Sequence, residues 1–255
     1  ILMSTATLGA VAIAWSPFAR AADFTAANEA ELVTAINAAN AAGAGSHTIA
    51  LSADITLTAP LPAIDNPAAT SITLDGAGHT LDADGTGTAL AIMPNTPAAI
   101  ENLTITGGAG SHGSDGHSGG GLFNMGTLTG TDATLSGNTA SQGAGIFNYA
   151  GEAGAANLTL TRGTLRDNDA TSFGGGLANT GDTGAVIVTL QYTTVSGNDA
   201  TYGGGVFNNG NNGQAALNLT GITLSGNTAK IGGGGLYNNG NSGTATAELI
   251  NTTLS

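Results

Sequence analysis

The sequence predicts an all-β chain, a right-handed parallel β-helix with coils of about 30 residues and a short N-terminal capping helix. The first observation behind this prediction is a unit that recurs four times between residues 131 and 250. The second is a pair of asparagine series, each of which recurs at a nearly constant step of about thirty positions. Their members are Asn138, Asn168, Asn198 and Asn227 in the first series and Asn148, Asn179, Asn208 and Asn238 in the second. A fixed period in this range is typical of solenoids, in which each unit buries its apolar face only against its neighbours.

The composition disfavours several classes of binding partner and excludes sites that need cysteine. Charged residues are only 8% of the chain and hydrophobic residues are 41%, which is not the composition of a disordered polar chain. The net charge of −13 disfavours binding to nucleic acid and to anionic membranes. Because the chain has no cysteine, it has neither a disulfide framework nor a thiolate metal site. Its 42 glycines indicate many tight turns.

We expect residues 1–21 to be the remnant of a secretory signal peptide. An apolar run at residues 8–15 is followed by Ala19-Arg20-Ala21, the small-x-small pattern that a signal peptidase cleaves. The alternative, a membrane anchor, needs an apolar run of about 20 residues. At the other end, residues 251–255 restart the repeat and stop inside it. We therefore expect the chain to be the N-terminal portion of a longer exported protein, truncated at the C-terminus.

Residues 22–70 are expected to form an N-terminal cap made of a helix and short strands. Asn28 followed by Glu31 resembles a capping box, and Leu32, Ile36 and Ala39 fall on one helical stripe. From residue 48 the hydrophobic period changes to two, which predicts short strands. Because the first coil of a solenoid exposes apolar side chains and unpaired backbone groups, we expect the helix to cover it.

Residues 71–255 are expected to form the β-helix itself. Within one unit the pattern predicts three strands, around residues 158–160, 164–165 and 176–177, with corners at 161–163, near residue 168 and after residue 179. The unit at 101–130 diverges and has an enlarged glycine-rich loop. A leucine-rich repeat has a similar period, but its LxxLxLxxN pattern is absent. Stacked in register, each asparagine amide can donate to the next, so both series are expected to be structural.

Each repeat combines an apolar residue three positions before an asparagine with a following glycine-rich motif. These motifs read GGGL at 119–122, GAGI at 143–146, GGGL at 174–177, GGGV at 203–206 and GGGL at 233–236. The combination, which covers residues 101–255, resembles the repeat of the polymorphic membrane proteins, exported bacterial surface proteins whose passenger regions are β-helices. The resemblance implies an autotransporter passenger-type protein that adheres to host cells. In every copy here the first position is aliphatic, where that family has phenylalanine.

Four aromatic residues form a candidate binding stripe. Phe123, Phe147, Phe207 and Tyr237 each lie between an apolar residue and an asparagine, so alternation turns them away from the core. The stripe is interrupted at Ala178. Two roles are open for it. The rings can stack against sugar rings or a partner protein, or they can stack on one another and shield the neighbouring backbone.

Two further groups have residue types suited to ion binding. Asp169 and Asp199 occupy equivalent positions one coil apart, where two carboxylates can share a proton or bind Ca²⁺. His112, Asp115 and His117 lie in the enlarged loop and are of types that bind transition metals. We interpret the aspartates as solvated surface acids and the histidines as ordinary loop residues, so we expect no metal and no cofactor.

The uniform repeats favour a secreted or cell-surface adhesin or passenger domain, outer membrane-associated, monomeric and without catalytic residues. Its expected partner is a protein or glycan on a host or neighbouring cell, with no nucleic acid and no membrane insertion. One alternative is a polysaccharide lyase or glycoside hydrolase of the pectin-degrading β-helix type. The other is a module that binds glycan or ice. The candidate residues of the enzyme are Arg162, Arg166, Asp167 and Asp169. Those of the binding module are the threonine column Thr159 and Thr189, which asparagine interrupts at Asn218.

Overall fold

A computed structural model of the chain describes residues 22–110, 119–152 and 154–255. The expected signal segment and the loop that carries His112, Asp115 and His117 lie outside the described residues. Over the described ranges the chain is an all-β parallel solenoid whose turns match the sequence repeat, with one short helix near the N-terminus. The fold class that the repeats predict is therefore confirmed.

Each complete coil passes through four parallel sheets, which we number I to IV in the order in which the chain reaches them. In the described ranges, sheet I consists of Ala22–Ala26, Ser46–Leu51, Ser71–Asp75, Pro97–Glu101, Thr127–Thr131, Ala155–Thr161, Ala185–Gln191, Gln214–Thr220 and Thr244–Ile250. Sheet II consists of Ile55–Thr56, Thr80–Asp82, Thr104–Thr106, Thr134–Ser136, Thr164–Arg166, Thr194–Ser196, Thr223–Ser225 and Thr253–Leu254. Sheet III consists of Ala109–Gly110, Thr139–Gln142, Asp169–Phe173, Asp199–Tyr202 and Thr228–Gly232. Sheet IV consists of Leu90–Ile92, Leu122–Asn124, Ile146–Ala150, Leu177–Gly181, Val206–Asn209 and Leu236–Asn239.

Residues at the same position of the repeat pair directly across neighbouring strands. In sheet I, Leu158 pairs with Val188 and Val188 with Leu217, and in sheet IV, Asn179 pairs with Asn208. A step of one repeat along the chain is therefore one strand spacing of about 4.8 Å along the solenoid. Like-numbered side chains form columns, which is the arrangement on which the predicted asparagine ladders depend.

Sheet III is the part of the coil that the sequence did not predict. Three of its strands bury one alanine each, Ala140, Ala170 and Ala200, so no run of large apolar residues alternates there. These alanines pack with Ala144 in a small core of their own. The prediction of three strands per coil was therefore wrong: the coil has four, and its additional corner is the glycine run 174–176.

Left-handed backbone forms the corner between sheets I and II. From residue 97 onwards one residue of each coil has φ between +48° and +66° there, and these residues are Asn102, Asp132, Arg162, Tyr192, Gly221 and Asn251. Asparagine, aspartate and glycine tolerate this conformation, whereas an arginine or a tyrosine rarely adopts it. The corner predicted at residues 161–163 is present, and two of its six occupants are of an unexpected type.

The main hydrophobic core is enclosed by the sheets and extends into the helix Glu29–Ala41, here called α1. Asn28 caps α1, because its side chain accepts a hydrogen bond from the Glu31 backbone N–H at 3.0 Å. The predicted stripe of Leu32, Ile36 and Ala39 is buried and joins this core. α1 contacts the first two strands of sheet I, as expected of an element that covers the first coil.

Two asparagines fix the C-terminal end of α1 to the chain that follows. Asn66 Nδ2 donates to the backbone oxygens of Ala39 and Ala42 at 2.9 and 2.6 Å. Asn40 donates to Ala63 O and accepts from the Asp65 N–H, both at 2.8 Å. The bonds from Asn66 satisfy carbonyl groups that the end of a helix leaves free. Within residues 22–70 the first two strands already belong to sheet I, so the expected cap shares a sheet with the solenoid.

The close stacking at the glycine runs predicts different effects for two equivalent substitutions. A Cβ at Gly205 would lie 2.5 Å from the backbone oxygen of Gly235, whereas a Cβ at Gly235 would meet no atom nearer than 3.7 Å. We expect Gly205→Ala to lower the free energy of unfolding of the 255-residue chain by about 1–3 kcal/mol. Gly235→Ala, the matched control, should change it by about 0.5 kcal/mol or less. Thermal and urea unfolding followed by circular dichroism check this, and equal effects of the two substitutions would contradict it.

Candidate functional site

The first asparagine series forms a continuous chain of side-chain hydrogen bonds at the corner between sheets II and III. In the column Asn138, Asn168, Asn198 and Asn227, each Nδ2 donates to the Oδ1 of the next asparagine at 2.9 Å. The same Oδ1 accepts from the backbone N–H of the preceding asparagine at 3.0–3.1 Å. The Nδ2 groups also donate to backbone carbonyls of the preceding coil, as Asn168 does to Leu135 at 3.0 Å. Each amide thus satisfies backbone groups that would otherwise be buried without a partner.

The second series forms a parallel chain at the end of sheet IV. The amides of Asn148, Asn179, Asn208 and Asn238 are joined at 2.7–2.8 Å. The series begins one coil earlier than the sequence indicated, because Asn124 donates to Asn148 at 2.7 Å. The connection after Asn124 is short, so these two asparagines are only 24 residues apart and fall outside the regular step. The apolar-Phe-Asn sequence at residues 122–124 is the signal that could have revealed this member.

Both ladders use their polar atoms within the protein. Five ladder asparagines are fully buried, and the amide of each makes at least two hydrogen bonds within the protein. These residues are Asn138, Asn148, Asn179, Asn198 and Asn208. A buried amide whose donors and acceptor are occupied offers nothing to a ligand. The geometry therefore supports the structural role that the sequence suggested for these residues.

The four aromatic residues of the candidate stripe lie on the side of sheet IV that faces away from the main core, in a separate cluster. Phe123 stacks on Phe147 with ring centroids 5.5 Å apart, and Phe207 stacks on Tyr237 at 5.7 Å. At Ala178, where the stripe has no ring, Phe173 of sheet III stacks on Phe207 at 4.7 Å. Ring-on-ring packing therefore continues through most of the column.

This aromatic stack is mostly covered by the chain. Phe147 is 0% exposed and Phe207 is 3% exposed. Left-handed glycines such as Gly143 and Gly203 turn the chain back across the rings, and a Cβ at Gly143 would lie 2.7 Å from Phe147 Cβ. Phe123 and Tyr237, which are half-buried, are the members with an accessible ring surface. The stack stabilises the corner between sheets III and IV, and a ligand role for it remains a prediction.

The other sequence candidates lie on outer surfaces of the coils. Asp169 pairs in register with Asp199, and the Asp199 carboxylate accepts a hydrogen bond from the Thr228 hydroxyl. Thr189 pairs in register with Thr159 and with Asn218, whose Nδ2 reaches the Thr189 hydroxyl at 3.5 Å. The residues of both columns are half-buried or exposed along the strands that carry them. The histidine group of the enlarged loop lies outside the described residues.

The two arginines of the enzyme hypothesis are each engaged by a carboxylate. The Arg162 guanidinium donates twice to Asp132, at 2.8 and 2.7 Å, and Arg166 donates to Asp167 at 2.8 Å. The hydrogen bonds from Arg162, followed by its positive charge, lower the pKa of the Asp132 carboxyl below its ordinary value. The same pair raises the pKa of Arg162. The two ion pairs are exposed at separate corners and do not converge on one cleft.

Sheet II carries a column of threonines that is not among the predicted site residues. The first residue of its strands is threonine in seven successive coils of the described chain, and these residues are Thr80, Thr104, Thr134, Thr164, Thr194, Thr223 and Thr253. Their side chains are half-buried or exposed, and the aliphatic residue that follows each of them is buried in every one of these coils except at Leu254. The signal was a recurring tripeptide of threonine, an aliphatic residue and a polar residue.

Comparisons with family models, with curated proteins and with solved structures found no match. In the described ranges, no three histidine, aspartate or glutamate side chains come together as metal ligands. None of the described helical residues forms a segment long and apolar enough to cross a membrane. The parallel β-solenoid is thus shown by the structure, while membership of the polymorphic membrane protein family remains a resemblance of motifs.

The buried amide chain predicts a pH-dependent effect of one isosteric substitution. Asn179 is 0% exposed and its Nδ2 donates to Asn208 Oδ1 and to Ala216 O, at 2.7 and 3.2 Å. Asn179→Asp removes both donors and places a carboxylate against two acceptors, so we expect a loss of about 3 kcal/mol of unfolding free energy at neutral pH. Protonation restores one donor, and burial raises the pKa of the new carboxyl. The loss should therefore shrink as the pH falls through that raised pKa.

The control for this substitution is Asn238→Asp, at the exposed end of the same ladder. The Asn238 Oδ1 accepts from Asn208 at 2.7 Å, which a carboxylate can also do, and only the bond to Ala245 O at 3.0 Å is lost. We expect less than about 1 kcal/mol of destabilisation. Urea unfolding of both variants at several pH values tests the comparison. A pH-independent loss for Asn179→Asp would show that its amide donors are not what stabilises the ladder.

The Asp132–Arg162 pair predicts that one arginine substitution shifts the pKa of Asp132 and that a similar substitution does not. Because the folded-state pKa of Asp132 is lowered, the pair contributes stability above the unfolded-state pKa and loses it as the pH falls through the folded-state pKa. We expect Arg162→Gln to return the pKa of Asp132 towards its ordinary value. Arg166→Gln should leave it unchanged, since Arg166 bonds to Asp167. Carbon-detected NMR titration of the aspartate carboxyls measures both, and an unshifted Asp132 in the wild-type chain would contradict the pairing.

Proposed function

We propose that this chain is the rod of an exported bacterial cell-surface protein that attaches to a host or neighbouring cell and catalyses no reaction. The observation that carries the proposal is the repetition of the outer surface from coil to coil. Because strands stack in register, each exposed position recurs about every 4.8 Å along the solenoid. Such a surface suits a partner that makes the same contact several times.

Repetition favours attachment over catalysis for a physical reason. A catalytic site needs different groups at fixed distances around one reacting atom, and such a set occurs at one place only. Columns of identical residues instead offer many equivalent weak contacts, whose combined strength can greatly exceed that of one contact. The column of threonines in sheet II is the clearest example, since the same hydroxyl recurs in seven successive described coils.

The family and the cell-surface location belong to the same proposal. Support comes from the recurring GGGL-type motifs after each asparagine, which resemble those of the polymorphic membrane proteins, and from the signal-like pattern at residues 1–21. The charge of −13 and the low content of charged residues suit an extracellular rod that must not adhere to anionic lipid. On this proposal the asparagine ladders and the aromatic stack stabilise the solenoid, and the residue columns on its outer surface contact the partner.

The proposal predicts that the folded chain binds to cells and has no activity on polysaccharides. We expect beads coated with the 255-residue chain to be retained on epithelial or bacterial cell layers several-fold more than beads coated with albumin or with the heat-unfolded chain. Incubation with polygalacturonate, with and without Ca²⁺, should produce neither unsaturated products absorbing in the ultraviolet nor new reducing ends. Retention no greater than that of albumin beads would overturn the attachment role. Product formation would instead support the lyase or hydrolase.

A further inference from the structure

Tyr192 occupies a position where the repeat uses quite different residues. It lies at the corner between sheets I and II, in the column that also holds Asn102, Asp132, Gly221 and Asn251. Its backbone has φ of +52°, a conformation that is common for glycine and asparagine and rare for a bulky aromatic residue. The tyrosine is therefore not there because the corner requires it.

The ring of Tyr192 also contributes little to packing. The residue is 68% exposed, whereas the rings of the aromatic stack pack on one another on a different side of the coil. A side chain that strains the backbone and remains in water is unfavourable to the fold on both counts. Residues held in a strained backbone conformation cluster at active sites and ligand-binding sites.

The next coil provides a seat for the ring. In the column, Tyr192 is followed by Gly221, and a Cβ there would lie 2.9 and 3.1 Å from the ring carbons Cδ1 and Cε1. The ring thus lies close over the glycine backbone, and its position is defined although it is exposed. Asparagine at the equivalent position, as at Asn251, would carry a Cβ and exclude this arrangement.

Neutral polar residues lie close in the chain to both Tyr192 and Gly221. Thr194 and Thr223, which follow Tyr192 and Gly221 by two residues, are exposed at the start of their sheet II strands. The preceding residue of the column, Arg162, is neutralised by its two hydrogen bonds to Asp132. Hydroxyl groups can both donate and accept hydrogen bonds. An exposed ring beside neutral hydroxyls matches a ligand with an apolar C–H face and a hydroxylated rim.

We propose that Tyr192, seated on Gly221 and flanked by the hydroxyls of Thr194 and Thr223, is a binding site for a pyranose ring of a neutral polysaccharide. The C–H groups of the sugar lie against the electron-rich face of the tyrosine, and its hydroxyls bond to the threonines. Anionic polysaccharides are disfavoured by the net charge of −13. The site gives the attachment role proposed above a ligand class and rests on that role.

The test measures binding of the 255-residue chain to cellulose, chitin, xylan and mannan by pull-down and affinity electrophoresis, with polygalacturonate and heparin as anionic probes. We expect at least one neutral polysaccharide and neither anionic one to bind. Tyr192→Asn, which places at this corner the residue found at 102 and 251, should weaken binding about tenfold. Its melting temperature should be unchanged or higher, because asparagine tolerates the left-handed backbone. Tyr192→Phe keeps the ring and should bind within about twofold of the wild type.

Two further variants test whether binding depends on the position of the Tyr192 ring or on any loss of exposed apolar surface. Gly221→Asn keeps Tyr192 but places a Cβ against its ring, and it should weaken binding as Tyr192→Asn does. Ile187→Asn, the control, removes an apolar side chain that is 44% exposed on sheet I and should bind as the wild type does. Wild-type binding by Tyr192→Asn, or retention by no neutral polysaccharide, would overturn the site.

Retention on cells of beads coated with the same variants distinguishes a failure of this site from a failure of the attachment role. If wild-type and Tyr192→Asn beads are retained equally on cells, the site is wrong and attachment stands. If retention is abolished by protease treatment of the cells and unaffected by added neutral polysaccharide, the partner is a protein and the site is likewise wrong. If wild-type beads are not retained, both proposals fall. Loss of retention with Tyr192→Asn, together with competition by the polysaccharide, supports both.

Discussion

Buried side-chain amides couple each coil to the next from about residue 122 onwards. Each ladder asparagine donates to its neighbour and also satisfies backbone groups at a corner, so its hydrogen bonds are complete only when the adjacent coil is in register. A slip of one residue would move the amide to the other face of the strand and leave buried donors and acceptors unpaired. The ladders therefore enforce the register on which the hydrophobic columns and the outer surface depend.

This constraint also explains where the repeat tolerates variation. The step between successive ladder asparagines is not the same in every coil, yet the paired columns remain in register in sheets I and IV. Register shifts occur in sheet III, whose strands bury only an alanine, and the connections between sheets IV and I differ in length. A bulge there displaces no large core side chain and no ladder amide. Length changes are thus confined to parts of the coil that neither a ladder nor the main core fixes.

The sequence predicted those features that large apolar residues or identical polar residues repeat. The leucine and valine columns, the asparagine ladders and the apolar stripe of α1 all follow from periodicity. Sheet III could not be predicted, because Ala170 and its equivalents give no alternating pattern. Alternation placed Phe147 on the outer side of its strand correctly, but it could not reveal that Gly143 turns the chain across the ring. What covers a residue from outside depends on a corner, and corners depend on single φ angles that composition does not specify.

A regular solenoid makes exceptions informative. In an in-register column, each residue experiences nearly the same surroundings as its equivalents, so the common residue type indicates what the fold requires at that position. Phe173 and its register partner Tyr202 depart from the sheet III pattern and have a structural explanation, because their rings stack on each other and Phe173 stacks on Phe207 where Ala178 lacks a ring. Asn124 departs from the spacing and still joins its ladder. Tyr192 departs from its column and gains little packing, because its ring remains 68% exposed even though it lies over the glycine of the next coil. Among these three departures, it is the one that the demands of folding do not account for, and function is therefore the better explanation for it.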